Sequence, residues 1–191
     1  MESDAKNDPV SFVIECFRLR GGSNYGKEAV SQLEHALQAA FAAENAGASP
    51  QLIAASLLHD VGHLLHDLPE DAPDHDIDDE HERLAAAWLT EYFLPSVVEP
   101  VRLHVAAKRY LCFAEADYFA QLSPPSVQSL ALQGGPMTAS QAKHFEEHPH
   151  FEAAIQLRRF DDYAKIAGLK TPSIEHYREH LRASLISSET K

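Results

Sequence analysis

A histidine followed directly by an aspartate lies near the end of the most apolar segment of the chain, in the run His59-Asp60-Val61-Gly62-His63. Burying an aspartate is costly unless a positive charge compensates its carboxylate, and a metal ion is such a charge. Adjacent helical positions point about 100° apart, so His59 and Asp60 could hold an ion at a helix edge, with the carboxylate able to bridge two ions. His63 would follow one turn after His59, and Gly62 would allow a close approach by another helix or a ligand.

Other residues with metal-binding side chains are spaced so that separate helices would carry them. They are His35, His81, His104 and Asp161. Imidazole and carboxylate groups are the ligands expected for iron, manganese or zinc rather than for magnesium or calcium. The set predicts a metal site in which surrounding helices bring their ligands to one central helix. A single His-Asp pair could also be a polar helix end with no ligand.

Helical periodicity dominates the sequence, and no segment is typical of β-strands. The pattern predicts helices over about residues 28–45, 50–67, 81–93, 101–111, 151–167 and 172–185, with breaks at Pro95 and Pro100. The segment 50–67 is apolar on most sides and is predicted to be central and buried. Ser49, Ser123 and Thr138 are predicted helix caps, and Gly134-Gly135 a turn. We expect an all-α fold with one domain over residues 1–191 and a core of about 24–185.

The composition restricts the partners and the compartment. The chain has 191 residues and a formal net charge of −13, a charge that repels nucleic acid and anionic lipid. No apolar run reaches the roughly 18 residues needed to cross a bilayer, and the polar N-terminus does not look like a signal peptide. Two cysteines form no disulfide framework. We therefore expect a cytoplasmic protein with no nucleic-acid partner and no membrane association.

Several short segments extend the pattern beyond the histidines and aspartates: NYGKEAVSQLEHALQ, LLHDVGHLL, HVAAKRYL, LQGGPM and IEHYR. Together with an early His, a central His-Asp, later His residues and a final Asp, they resemble the HD-domain oxygenases that cleave phosphonates. Members of that family are mixed-valence di-iron enzymes and distant relatives of myo-inositol oxygenase. The resemblance runs from about residue 24 to 181, and it implies a helical HD-domain bundle around a buried di-metal site.

The resemblance also implies roles for particular residues. By position, His35, His59, Asp60 and Asp161 would hold one iron ion, and Asp60 would bridge to a second that is also held by His81 and His104. Substrate contacts are expected from Tyr25, Glu28, His63, Lys108, Ser126, Gln133 and Arg158. Catalytic roles are expected for Asp60, His63 and Lys108.

The implied reaction takes a 1-hydroxyalkylphosphonate and dioxygen and gives a carboxylate and phosphate. Tyr25 and Glu28 fall where the family holds the cation of its substrate. A quaternary ammonium is attracted by ring faces and negative potential, whereas a primary ammonium also needs hydrogen-bond acceptors. We expect (R)-1-hydroxy-2-(trimethylamino)ethylphosphonate as substrate and glycine betaine as product. The alternative is (R)-2-amino-1-hydroxyethylphosphonate, which would give glycine.

The segment before His81 departs from the family because it is rich in carboxylates, at Asp71, Asp74, Asp76, Asp78, Asp79 and Glu80. Such a loop could raise the negative potential at the mouth of the pocket and favour the trimethylated cation. It could equally be a solvated loop with no such role.

Two other classes of function use a similar ligand set. A two-metal HD phosphohydrolase would activate water with much the same residues, and metal ligands alone do not separate hydrolysis from oxygenation. HVAAKRYL, LQGGPM and the pair Tyr25–Glu28 favour the oxygenase. A non-catalytic HD sensor is disfavoured because the ligand set is intact.

Overall fold

A computed structural model of the chain describes residues 6–65 and 81–187. Within these ranges the regular structure is helical, and the extended backbone forms only the isolated bridges Asn24↔Ser31 and Phe93↔Leu185. The predicted all-α fold is confirmed. The helices are α1 (Pro9–Arg20), α2 (Gln32–Asn45), α3 (Pro50–Leu58), α4 (Gly62–Leu65), α5 (His81–Leu89), α6 (Pro95–Ala114), α7 (Tyr118–Gln121), α8 (Pro124–Leu132), α9 (Ala139–Glu146), α10 (Phe151–Tyr163), a 3₁₀ helix (Ile174–Tyr177) and α11 (Arg178–Arg182).

Helix α3 occupies the centre of the core, as its apolar sequence predicts. It packs against α2, α6, α10 and α11, and α10 packs in turn against α6 and α2. The side of α2 that faces the core is built from small residues, because Ala36, Ala39, Ala40 and Ala43 are all buried. Small side chains allow neighbouring helix backbones to approach closely, which brings polar side chains on these helices within reach of one another.

The N-terminal helix α1 was not among the predicted elements. Asp8 caps it by accepting a hydrogen bond from the Ser11 backbone N–H. Its buried residues are spaced i, i+3, i+4 and i+7, the spacing of one helix face, and are Val10, Val13, Ile14 and Phe17. The face is short, and it contributes to the same core as α3.

The predicted continuous helix over residues 50–67 is wrong in one respect that matters for the site. Helix α3 ends at Leu58, and the chain turns through residues 59–61 before α4 begins. Tight backbone hydrogen bonds hold this turn, from the Val61 N–H to the Leu58 carbonyl and from the His63 N–H to the Asp60 carbonyl. His59 therefore lies in the turn and His63 on α4, so the two histidines are not carried by one continuous helix.

Gly62 allows the close approach that its position in the sequence suggests. A Cβ atom there would lie 2.0 Å from the backbone carbonyl oxygen of His81, closer than atoms can pack. The first residue of α4 thus lies close to the backbone of the first residue of α5, and His81 lies beside Asp60.

Pro100 does not break a helix as predicted, because α6 continues from Pro95 to Ala114 with Pro100 inside it. Proline removes one hydrogen bond to the preceding turn, and here Pro100 is itself buried between the buried residues Val97 and Val101. Burial of these three side chains offsets the loss. The long α6 carries His104 and Lys108 one turn apart, and both are buried.

The predicted helix starts at residues 50, 81 and 151 and the predicted end at residue 45 match the structure, whereas α2 and α6 begin at Gln32 and Pro95 instead of at residues 28 and 101. Ser49, Ser123 and Thr138 are N-caps, and Gly134 and Gly135 adopt φ angles of 92° and 69°. The helix predicted over 151–167 ends at Tyr163, and the one predicted over 172–185 is a 3₁₀ helix followed by α11. The acidic segment 68–80 lies outside the described residues. In the described part of the chain, no helix is long and apolar enough to span a membrane.

Candidate metal centre

Side chains from α2, α10 and the turn after α3 converge on one buried point. His35 Nε2 lies 3.0 Å from His59 Nε2, 3.5 Å from Asp60 Oδ2 and 3.4 Å from Asp161 Oδ1. His59 Nε2 lies 3.2 Å from the same Asp60 oxygen and 3.9 Å from the same Asp161 oxygen. Donor atoms bound to one ion at about 2.0–2.2 Å are spaced by roughly these distances. Four of the predicted ligands therefore form one donor set.

The other oxygen of Asp60 faces a second donor set. Asp60 Oδ1 lies 3.3 Å from His81 Nε2 and 3.5 Å from His104 Nε2, and these two nitrogens are 3.3 Å apart. The two carboxylate oxygens of one residue thus point to two separate groups of imidazoles. This is the arrangement of a bridging carboxylate between two ions, and it brings together all the residues predicted as metal ligands.

Three of the imidazoles are held with Nε2 towards the centre. Nδ1 lies 2.7 Å from the carbonyl oxygen of Ala164 in His35, 2.9 Å from that of Ser56 in His59 and 2.7 Å from that of Val101 in His104. A carbonyl oxygen accepts a hydrogen bond from a protonated Nδ1, which leaves the lone pair on Nε2. Hydrogen bonds of this kind orient metal-binding histidines.

The buried carboxylates of Asp60 and Asp161 have the properties expected of ligands for a cation. Asp60 Oδ1 and Asp161 Oδ1 are buried and have no hydrogen-bond partner among the described residues, and a buried anionic oxygen is costly in that state. Burial alone raises a carboxyl pKa, yet His59 and His35 hold the pKa of Asp60 well below its usual range, and Arg158 does the same for Asp161. Both groups are therefore ionised and able to bind metal.

The pKa values of two of the histidines shift in opposite directions. Although burial opposes protonation, Asp161 and Asp60 raise the pKa of His35 to about 9. Burial lowers the pKa of His104 to about 3, with the neighbouring His81 acting in the same direction. In the absence of metal, His35 therefore carries positive charge between the two carboxylates. A bound metal would replace that proton, because a ligating histidine must be neutral.

Predicted substrate contacts occupy different places around this centre. The His63 ring stacks on His81 with centroids 4.2 Å apart and planes inclined by 21°. Donor atoms of Asp60, His63 and His81 all lie within 4.8 Å of one another. His63 therefore borders the second donor set, where it could contact either a substrate bound to an ion or the ion itself.

Tyr25 lies against the first donor set. Its ring stacks on His35 with centroids 3.7 Å apart and planes inclined by 12°. Burial and the carboxylates of Asp60 and Asp161 raise the pKa of Tyr25 well above its usual value, so the phenol keeps its proton. The Glu28 N–H donates to the Tyr25 carbonyl, and this turn holds Tyr25 and Glu28 in one loop.

Two lysines and two serines form a polar pocket beside α6, in which Lys108 and Ser126 are buried while Lys165 and Ser129 are half-buried. Lys108 is 3% exposed, and its ammonium donates to Ser129 Oγ at 2.7 Å. Ser129 Oγ in turn donates to the Ser126 carbonyl. A second lysine, Lys165, donates to Ser126 Oγ at 2.9 Å. The ammonium groups of Lys108 and Lys165 thus lie beside Ser129 and Ser126, which are one turn apart on α8.

Glu28 lies at the other side of this pocket. Its Oε1 accepts a hydrogen bond from Ser123 Oγ at 2.5 Å and lies 3.8 Å from Lys165 Nζ. The pocket therefore contains a negative group as well as the two lysines. Burial lowers the pKa of Lys108 to about 7, and the nearby Arg158 acts in the same direction.

The structure gives Arg158 a different set of partners from the substrate contact predicted for it. Its guanidinium is buried and donates to Asp161, Asp162 and Tyr118. Its predicted role at the substrate stays a prediction, as does that of Gln133, whose Oε1 is buried without a partner among the described residues.

Sequence reasoning missed Lys165, Ser129 and Ser123 as pocket residues. Ser123, Ser126 and Ser129 are spaced by three on and before α8, so their shared face was the one signal available. The helix predicted over residues 151–167 includes Lys165, whereas in the structure Lys165 follows the end of α10 at Tyr163. Nothing in its sequence neighbourhood marks it as a pocket residue. Its place in the pocket is seen only in the structure, where the chain after α10 passes beside Ser126.

These observations define an all-α protein with two neighbouring sets of possible metal ligands and a polar pocket with two lysines beside them. No protein-family model matches the chain. It is 43% identical to the hydroxymethylphosphonate dioxygenase of Gimesia maris over 185 residues, 96% of this chain and 91% of that protein. It is 41% identical to the glycine-betaine-forming [1-hydroxy-2-(trimethylamino)ethyl]phosphonate dioxygenase of Leisingera caerulea over 169 residues, 88% of this chain and 86% of that protein. The chain belongs to this family of phosphonate dioxygenases.

Proposed function

We propose that this chain cleaves the carbon–phosphorus bond of (R)-1-hydroxy-2-(trimethylamino)ethylphosphonate with dioxygen, giving glycine betaine and phosphate. We further propose that its centre is a mixed-valence pair of iron ions within an HD-domain bundle. The observation that carries the proposal is Asp60, whose Oδ2 faces His35 and His59 while Oδ1 faces His81 and His104. Imidazole and carboxylate donors of this kind suit iron.

The reaction balances without an external reductant. A hydroxyphosphonate dianion and dioxygen give a carboxylate, hydrogen phosphate and a proton, and the electrons come from the cleaved carbon–hydrogen and carbon–phosphorus bonds. When bound, the iron pair supplies the redox chemistry with dioxygen. The protein must bind the phosphonate, orient the carbon that carries the hydroxyl and balance charge around it.

Lys108 and Lys165 would bind the phosphonate. Both ammonium groups now donate to serine hydroxyls, at 2.7 Å and 2.9 Å. A phosphonate dianion accepts stronger, charge-assisted hydrogen bonds than a neutral hydroxyl, so it can replace Ser129 and Ser126 as acceptor. Lys108 lies one turn after His104 on α6, which would place the phosphonate beside the second donor set. His63 borders the same donor set.

Tyr25 and Glu28 would receive the substrate cation. Glu28 Oε1 already accepts from Ser123, while Lys165 at 3.8 Å is beyond hydrogen-bonding distance. A quaternary ammonium needs negative potential and a ring face but no free acceptor. A primary ammonium would instead donate to the remaining acceptor positions of this carboxylate. The Leisingera caerulea relative, which is named for the trimethylated substrate, supports that substrate over (R)-2-amino-1-hydroxyethylphosphonate.

Kinetics on a panel of substrates test this choice. Iron-loaded protein is incubated under oxygen with the trimethylated, primary-amine and hydroxymethyl phosphonates, and kcat/KM for phosphate release is compared. The trimethylated substrate should give the highest value. A higher value for the primary amine would overturn the assignment of the cation site while leaving the reaction type intact.

Hydroxymethylphosphonate is a second candidate substrate, and one contact favours it. Lys165 Nζ lies 3.8 Å from Glu28 Oε1, so the protein already places a cation near this carboxylate, and a substrate without a cation would leave the pair undisturbed. The Gimesia maris relative is named for that substrate. If this is the substrate, wild type should prefer hydroxymethylphosphonate, and Glu28→Gln should change kcat/KM little for it. A strong preference for the trimethylated substrate in wild type would exclude it.

A further inference from the structure

A second group of metal-binding side chains lies on the surface, outside the centre described above. Glu44 near the end of α2 meets His176 of the 3₁₀ helix and His180 of α11. Glu44 Oε1 lies 2.8 Å from His176 Nε2 and 3.6 Å from His180 Nε2. One donor atom from each of the three residues lies within 4.8 Å of the other two. Two imidazoles thus face the same carboxylate oxygen.

The spacing of these donors resembles that of the main centre. The donor pairs of the main centre are 3.0–3.9 Å apart, and the distance of 3.6 Å from His180 Nε2 to Glu44 Oε1 falls within that range. The contact from His176 to Glu44 has the length of a hydrogen bond, so an ion would require it to lengthen by a few tenths of an ångström. His176 has 45% of its side chain exposed and can make that adjustment.

Packing beneath the group holds both imidazoles in place. Tyr177 lies between them in sequence and is fully buried. Its ring is perpendicular to that of His176 at 4.9 Å and lies 6.2 Å from that of His180. The Tyr177 hydroxyl is buried without a hydrogen-bond partner among the described residues. The two histidines are separated by four positions, the spacing that places side chains on one side of a helical turn.

We propose that Glu44, His176 and His180 form a separate site for a single divalent ion such as Zn²⁺ or Co²⁺. Two imidazoles and a carboxylate suit these ions rather than Mg²⁺ or Ca²⁺. Glu44 follows His35 by nine positions on α2, about 13 Å along the helix axis, so the ion would not share the main centre. It would link α2 to the C-terminal segment and stabilise the folded chain. The site uses the segment IEHYR, to which the proposed reaction assigns no role, and it does not depend on that reaction.

Metal binding to the iron-loaded protein tests the site. The protein is dialysed against Zn²⁺, and bound zinc and iron are measured in the same sample by elemental analysis. Wild type should bind about one zinc ion per chain without losing iron and should gain thermal stability, since an ion that binds only the folded state stabilises it. His180→Ala should bind about one ion fewer. Zinc uptake matched by iron loss would mean that the ion enters the main centre, and would overturn the proposal.

Two further variants distinguish a metal site from a hydrogen bond between His176 and Glu44 that binds no ion. Glu44→Gln keeps an oxygen that can accept a hydrogen bond from His176 but removes the charge, so it should retain the fold and lose most zinc binding. His144→Ala is the matched control, because His144 is an exposed histidine 4.0 Å from Glu147 that belongs to none of the possible metal groups found in the described residues. Equal zinc binding by wild type and Glu44→Gln, or an equal loss in His144→Ala and His180→Ala, would contradict the site.

Discussion

Arg158 lies one turn before Asp161 on helix α10, and its Nη1 is 2.7 Å from Asp161 Oδ2. The other oxygen of Asp161 faces His35 at 3.4 Å. Arg158 is itself held by Tyr118, which accepts a hydrogen bond from Nε at 3.0 Å, and by Asp162. A buried cation thus fixes the orientation of Asp161 and leaves its Oδ1 directed towards His35, where it could bind a metal ion.

Arg158→Met should weaken iron binding while keeping a side chain of similar length. Without the guanidinium, the pKa of Asp161 rises and its orientation is no longer fixed. Loss of such an orienting partner typically weakens metal binding by about 10–100-fold. Iron per chain after dialysis against a chelator measures the effect. Asp162→Asn is the control, since it leaves the contact between Arg158 and Asp161 in place and should retain more iron. A variant Arg158→Met with full iron and a raised KM would instead support direct contact with the substrate.

The buried ammonium of Lys108 predicts a pH dependence of catalysis. Its pKa is lowered to about 7, so the positive charge is present below that pH and is lost as the pH rises through it. Because kcat/KM reports the ionisation of the free enzyme, it should fall above about pH 7. In Lys108→Arg the charge persists, since the guanidinium pKa lies above about 12.

Comparing wild type with Lys108→Arg removes the effect of substrate ionisation on the pH dependence. The phosphonate titrates identically for both, so the ratio of their kcat/KM values isolates Lys108. The ratio of wild type to Lys108→Arg should decrease as the pH is raised from 6 to 9. A ratio that stays constant over this interval would contradict protonated Lys108 as the phosphonate ligand.

Gly62→Ala should disturb the second donor set more than the first. The added Cβ would lie 2.0 Å from the His81 carbonyl oxygen, so α5 must move and take His81 with it. Such overpacking costs about 1–3 kcal/mol of the free energy of unfolding. The midpoint temperature of thermal denaturation and the iron content per chain should both fall. Gly22→Ala is the matched control, because nothing lies within 4 Å of a Cβ at that position. Full iron content in Gly62→Ala would show that this backbone contact does not position His81.

Much of the metal centre follows from sequence because its chemistry restricts the residue types. A His59-Asp60 pair in an apolar segment, with further histidines on separate helices, strongly favours metal binding, and the structure brings the whole predicted set together. The bend after Leu58 was not predictable, because the apolar pattern continues past it to Leu65. The bend is accompanied by a close approach of Gly62 to the His81 backbone, a tertiary contact that the local pattern does not encode. Likewise, Pro100 lies inside a continuous helix in which Val97 and Val101 are buried on either side of it.

The surroundings of the substrate were less accessible to prediction. Lys165 reaches Ser126 and Glu28 from a segment that follows α10, and a lysine in such a segment is usually exposed. Arg158 was predicted at the substrate because of its position in the sequence, whereas its contacts in the structure are with Asp161, Asp162 and Tyr118. Charge partners of this kind are set by tertiary packing, which local patterns do not encode.

Tyr25 variants test the proposed cation site. Tyr25→Phe keeps the ring that stacks on His35 and most of a cation–π attraction of ~0.5–2 kcal/mol, so KM for the trimethylated substrate should change little. Tyr25→Ala removes the ring and should raise KM about tenfold, equivalent to ~1.4 kcal/mol. Iron content is measured in both to exclude an effect through His35. If Tyr25→Phe is as impaired as Tyr25→Ala and wild type prefers the primary amine, the phenol acts as a hydrogen-bonding group and the cation is a primary ammonium.

We propose that this enzyme releases phosphate by oxidative cleavage and not by hydrolysis. The most direct measurement follows dioxygen uptake and phosphate release together, using iron-loaded wild type and the trimethylated hydroxyphosphonate, with a parallel reaction under strict anaerobic conditions. We predict equimolar oxygen consumption and phosphate release, glycine betaine as the other product, and no phosphate without oxygen. Phosphate release that continues at the same rate without oxygen would contradict oxidative cleavage and make the chain a two-metal hydrolase.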